Sequence, residues 1–145
     1  HGLAYSVHSS AQLFEDSGAL VISAGLDRKR TIKAVELIVR EIARIKRELV
    51  GPRELARAKD YIIGQLKLGL ESTSNQMMWI GDNIMSHDRF IPPEETIETV
   101  RKITAGDIRQ LAASVLTESR TSLAMVSPDV EGRVQGTLRE IVSIL

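Results

Sequence analysis

Metal-assisted hydrolysis needs imidazoles and carboxylates that converge on one point, most often two histidines four residues apart on a helix. The chain has His1, His8 and His87, and no two of them stand at that spacing. No metal ligands are therefore assigned. His8 falls on an alternating segment and reads as a residue of the polar face of a strand. His87 follows Ser86 near a helix end, where an imidazolium meets the carbonyl dipole. Nucleophilic chemistry fares no better: there is no cysteine, and no serine stands in a Gly-x-Ser-x-Gly turn. Glycines 2, 18, 25 and 51 are scattered, as in turns, and not clustered as in a phosphate cradle. Glu94, Glu95 and Glu98 form a carboxylate group, but they follow Pro93, where the start of a helix favours negative charge. Met77-Met78-Trp79 could offer a soft surface, although packing of a helix is the expectation. Tyr5 taken alone reads as an aromatic on a half-buried strand.

Those residues need a framework. Residues Leu3 to Phe14 alternate as a strand, Asp16-Ser17-Gly18 marks a turn, and Ala19 to Ala24 gives a second strand, so the pair predicts a β-hairpin. Gly25 is expected to end it and Asp27 to cap the next element. Ile32, Val35, Ile38, Val39, Ile42, Ile45 and Leu49 recur at helical spacing, with Lys33, Arg40, Glu41, Arg44 and Arg47 between them facing water. Gly51 stops this helix, and Pro52 suits the first turn of the next, whose stripe is Leu55, Ile62, Leu66 and Leu70. Ser72-Thr73-Ser74 interrupts the pattern before a helix over Asn75 to Met85. Pro92-Pro93 opens a short helix through Arg101. Thr104 with Asp107 resembles a capping box and starts a helix from Ala105 to about Leu116. Thr121 to Val126 reads as a third strand. Pro128 breaks it, and Val130 to Leu145 reads as a terminal helix. Segregated strands and helices predict an α+β fold, a small antiparallel sheet covered by helices on one face.

The 145 residues fit a single domain, 1–145. The formal net charge is +0, which gives no electrostatic footprint for nucleic acid. No apolar run approaches the roughly 20 residues of a membrane span. These features do not fix the compartment; a cytoplasmic one is the expectation.

Several segments, in order, resemble a known family. Gly2-Leu3-Ala4-Tyr5-Ser6 is similar to the end of a signature in the C-terminal lobe of the insulinase, pitrilysin and mitochondrial processing peptidase zinc metallopeptidases. Phe14, Gly18, Ile22 and Gly25 match that lobe's hairpin. Glu54-Leu55 and Ala58-Lys59 match its second-helix motif, and Leu70-Glu71-Ser72 the end of that helix. Thr104-Ala105-Gly106-Asp107-Ile108 resembles its Thr-x-x-Asp-(Ile/Val) segment.

The resemblance implies two homologous lobes closing around an unfolded peptide. One lobe carries zinc on an inverted His-x-x-Glu-His motif. The other lacks zinc and supplies an Arg and a Tyr to the substrate. By motif position Tyr5 is that tyrosine, a substrate-binding group with a catalytic role in the intact enzyme only. The Arg belongs upstream of His1, so the chain is expected to be an N-terminally truncated C-terminal lobe. No cofactor is expected in this chain, with zinc on the missing lobe. The implied partners are a peptide substrate and an N-terminal catalytic lobe, in the same chain or in a separate homologous subunit. A sheet edge left open could also pair with a second copy. A catalytically silent partner or scaffold subunit of the same family fits these residues too, and an unrelated α+β interaction domain is the third reading.

Overall fold

The structure, a computed structural model, describes residues 2–127 and 132–144. Its architecture is α+β: among the described residues, one two-stranded antiparallel sheet and six α-helices. They gather into two compact units, 1–47 with 112–145, and 48–111.

In the first unit, β1 (Ala4–Leu13) and β2 (Gly18–Leu26) form the expected hairpin. The tip closes through the Phe14 amide, which donates to the Ser17 carbonyl at 2.9 Å. Gly25 lies within β2 and does not end it, because the ladder runs on to Leu26. A single 3-10 turn, Arg28–Arg30, comes next, with the Asp27 carboxylate accepting from the Lys29 amide at 2.9 Å.

That turn leads into α1 (Thr31–Arg47), which buries Ala34, Val35, Val39 and Ala43. The spacing of these residues is that of one helix face. Val35 and Val39 pack against Leu138 and Ile141 of α6 (Gly132–Val142), with Leu26 and Met125 partly buried beside them. The opposite face of α1 carries exposed pairs, Lys33–Glu36 at 3.1 Å, Arg40–Glu36, and Arg44–Glu41 at 2.7 Å. Ile32 and Leu49 of the expected stripe are exposed; Leu49 lies past the end of α1, where the helical period no longer applies.

The expected third strand, Thr121–Val126, does not pair: the sheet contains β1 and β2 alone among the described residues. A strand needs a backbone edge within bonding reach. Here β2 and residues 121–127 instead line an open hollow of about 670 Å³, with Leu20, Ile22, Val39, Ile42, Leu123 and Met125 among its walls. Pro128 and the expected helix limits at Val130 and Leu145 lie outside the described residues.

The second unit is helical. α2 (Pro52–Gly69) starts directly after Gly51 and packs on α4 (Pro93–Lys102), where Ile97 is buried. Lys59 Nζ donates to the Arg101 carbonyl at 2.6 Å, near the end of α4. Leu55, Leu66 and Leu70 are half-buried, whereas Ile62 is exposed; Ile63 is the half-buried neighbour in its place. α3 (Thr73–His87) starts earlier than expected. The Gln76 amide donates to the Ser72 carbonyl at 2.9 Å, so the Ser72-Thr73-Ser74 break is the N-terminus of the helix. Asn75 and Gln76 side chains donate to Gly69 O and Leu70 O at 2.8 and 2.7 Å, satisfying carbonyls at the end of α2.

Trp79 is half-buried and its indole N–H donates to the Ile91 carbonyl at 3.1 Å. Met77 and Met78, expected to pack, are exposed: the inward face of α3 is set by Trp79 and the buried Asn83, and both methionines fall off it. α5 (Ala105–Val115) opens with the expected capping box. The Thr104 amide donates to Asp107 Oδ2 at 2.8 Å and the Asp107 amide to Thr104 Oγ1 at 3.2 Å. The Thr104 amide and the Thr104 hydroxyl, both donating to Asp107 Oδ2 at 2.8 Å, hold the Asp107 carboxyl below its ordinary pKa.

Candidate substrate-contact site at the base of the hairpin

The candidates of the sequence are divided between the two units, Tyr5 and His8 in the first and His87, Glu94 and Glu95 in the second. His8 lies in mid-β1 opposite Ser23, exposed. His87 ends α3, exposed, and the following Asp88 closes the helix in the left-handed conformation, φ 53°. His1 is outside the described residues. Glu94 and Glu95 sit in the first turn of α4, as the helix-terminus reading has it. Glu95 is held by a bidentate bond from Arg89, at 3.0 and 2.5 Å. The guanidinium keeps the Glu95 carboxyl below its ordinary pKa. Among the described residues, no group of three or more His, Cys, Asp or Glu is placed to hold a metal ion.

Tyr5 differs from these in its setting. It is 82% exposed although it lies in β1. The pairing around it is irregular: Ala4 faces Leu26 and Ser6 faces Gly25, so Tyr5 is the extra residue of a β-bulge. From Ser6 to Leu13 the register is one-to-one. A bulge bends its strand and turns a side chain away from the regular alternation.

Two glycines and an arginine surround this irregularity. Opposite the bulge, a Cβ on Gly25 would lie 3.1 Å from Ser6 Oγ, so a larger residue there would press on the bulged strand. Before it, Gly2 has φ +59°, a conformation L side chains rarely adopt. The Gly2 carbonyl accepts from Arg30 Nη1 at 2.7 Å. Arg30 itself is fixed by the capped turn, since its amide donates to the Asp27 carbonyl at 3.0 Å. Gly2, Leu3, Ala4, Tyr5, Asp27 and Arg30 line a hollow of about 200 Å³. An exposed phenol beside a side-chain-sized hollow can donate to an acceptor on a bound chain.

Sequence reasoning singles out Tyr5 but misses Arg30, and takes Gly25 as the end of a strand. The available signal is the Asp27 cap: the turn it starts directly follows the hairpin, so the turn's last residue returns to the hairpin base.

With that geometry in place, likenesses of three kinds bear on the chain. Residues 1–62 match the family model described as the peptidase M16 inactive domain. The zinc protease YmxG of Bacillus subtilis is 33% identical over 127 residues, 88% of this chain and 31% of that protein. A zinc protease of Rickettsia bellii is 34% identical over 128 residues, again 88% of this chain and 31% of its own length. The α subunit of the mitochondrial processing peptidase of Neurospora crassa is 27% identical over 120 residues, 80% of this chain and 21% of that subunit. The chain thus spans less than a third of the length of these relatives. In three dimensions it is similar to a chain of complex III from Candida albicans, solved with Inz-5 bound, with TM-score 0.71 and 18% identity over 79% of this chain and 28% of that one. At that identity the likeness concerns the fold. Motif order, sequence similarity and fold agree, and together they support a likeness to the C-terminal lobe of the M16 peptidases, residues 1–62 matching the domain described as inactive.

Proposed function

We propose that this chain is the substrate-side lobe of a zinc-dependent endopeptidase that acts on peptides or unfolded segments. It forms part of the cavity wall and presents Tyr5 to the scissile carbonyl. The observation that carries this reading is the 82% exposed phenol on a bulge, inside the segment matched to the inactive domain. A phenol donates to the oxyanion that forms when water attacks a peptide carbonyl, and a donor placed for that oxyanion stabilises the transition state more than the ground state.

The described residues do not fit a zinc site. On this reading the metal and its activated water belong to an N-terminal lobe, in the same polypeptide or in a homologous subunit. The outer edge of β1 has no strand partner among the described residues. That edge can pair with the other lobe, with an extended substrate, or with a second copy.

The test is a Tyr5→Phe substitution in the intact two-lobed protein. Loss of the hydroxyl should lower kcat by about 100- to 1000-fold, with KM little changed. An unchanged kcat removes Tyr5 from the mechanism.

A second reading has its own support: the matched model is that of an inactive domain, and one relative is a subunit of a multi-subunit peptidase. In that case the chain is part of a catalytically silent partner or scaffold subunit. Purified intact protein with no peptidase activity, alone or with any homologous zinc-bearing subunit, would favour it.

A further inference from the structure

We infer that the bulge at Tyr5 is a device for aiming the phenol, and that Arg30 is the positioning residue that holds it. The inference rests on the substrate-contact reading of Tyr5 and names what sets its geometry.

The register irregularity is confined to one place. Ser6 to Leu13 pair one-to-one with Gly25 to Gly18, and the extra residue is Tyr5 itself. A bulge left to itself is a soft feature, because the extra residue has no ladder bond of its own. Here both flanks are tied. On the β1 side, Gly2 comes before the first paired residue, so its carbonyl has no place in the ladder; it accepts instead from Arg30 Nη1 at 2.7 Å. On the β2 side, Leu26 runs straight into Asp27, whose carboxylate and carbonyl fix the turn that ends at Arg30. Arg30 thus ties the two chain segments that bracket the bulge, across 28 residues of sequence.

The remaining restraint is steric. Gly25 is the partner of Ser6, and a Cβ there would stand 3.1 Å from Ser6 Oγ, closer than ordinary contact. Gly2 at φ +59° lets the chain turn its carbonyl toward the guanidinium. Arg30, Gly25 and Gly2 are thus linked to Tyr5 through the backbone.

The test is steady-state kinetics of the intact two-lobed protein on an unstructured fluorogenic peptide. Arg30→Ala should lower kcat by about 10- to 100-fold while KM moves little, because a shift of about 1 Å in a positioned group costs on that order. Arg30→Lys keeps a cationic donor for the Gly2 carbonyl and should recover most of the loss. Gly25→Ala should also lower kcat, and adding Ser6→Ala, which removes the clashing oxygen, should restore it. If Tyr5→Phe leaves kcat unchanged, the substrate reading fails and the inference falls with it. If Tyr5→Phe lowers kcat but Arg30→Ala matches the wild type, the aiming role alone is wrong. That role is equally wrong if Arg30→Lys is as impaired as Arg30→Ala and the Ser6→Ala, Gly25→Ala pair shows no recovery. Should Arg30→Ala fail to fold, the lysine variant and the Ser6, Gly25 pair decide the question.

Discussion

The hairpin-bearing unit and the helical unit are held by different kinds of interaction. In the first, the buried residues come from distant parts of the sequence: Val35 and Val39 of α1 meet Leu138 and Ile141 of α6. In the second, most of the polar bonds are local. Thr104 bonds Asp107, Arg89 bonds Glu95, and Asn75 and Gln76 bond carbonyls six residues back. Lys59 to Arg101 is the long exception. The contrast separates two ways of specifying structure, one through non-local apolar burial and one through helix ends.

Substitutions can break or sharpen that contrast. The largest stability effect is expected in the first unit. Leu138 is 4% exposed, and Leu138→Ala should cost about 2–5 kcal/mol, the lost burial plus the cavity left behind. A denaturant midpoint that moves by less than a cap substitution would erase the distinction.

A smaller loss is expected at a helix end of the second unit. Thr104→Ala removes the hydroxyl half of the capping box and should cost about 1 kcal/mol by the same measurement. A loss rivalling that of Leu138→Ala would mean the helical unit depends on its caps as much as the other depends on its core.

The smallest effect is a pH response. Glu95 and Asp107 both have lowered pKa values, through Arg89 and through Thr104 respectively. A carboxylate whose folded pKa is depressed binds its proton more readily when unfolded, so its contribution is present above the ordinary carboxylate range, about pH 4. It is lost as the pH falls through the lower, folded value. Thermal melts between about pH 5 and 2 should show a shallower acid loss for Glu95→Gln than for the wild type. Identical slopes would mean that the exposed Arg89–Glu95 pair contributes nothing measurable, as many surface pairs do.

The same contrast explains which features are legible in the sequence. The helices of the second unit carry their own signals: Gly51-Pro52, Pro92-Pro93 and Thr104 with Asp107 mark where α2, α4 and α5 begin. These are local rules, so they can be read without knowing the fold. The start of α3 is harder to place because Ser72-Thr73 reads both as a break and as a helix start. The third strand fails for the opposite reason. Thr121–Val126 has strand-like composition, but a strand exists only against an edge, and that depends on distant chain. At the candidate site the motif points to Tyr5, while the bulge depends on pairing and the Arg30 bond spans 28 residues. Neither leaves a periodic trace in the sequence.

The bulge has a consequence for how the hairpin can vary. A change of one residue in a regular hairpin exchanges the two faces of everything beyond it. Because the base is tied by the Arg30–Gly2 bond and the bulge precedes Ser6, the proposed aim of Tyr5 does not depend on the length of the arm from Ser6 to Leu13 or on the turn at Phe14–Ser17. Changes to the length or chemistry of the tip are then expected to leave the base of the hairpin in place. The hairpin is thus a variable arm on a fixed mount.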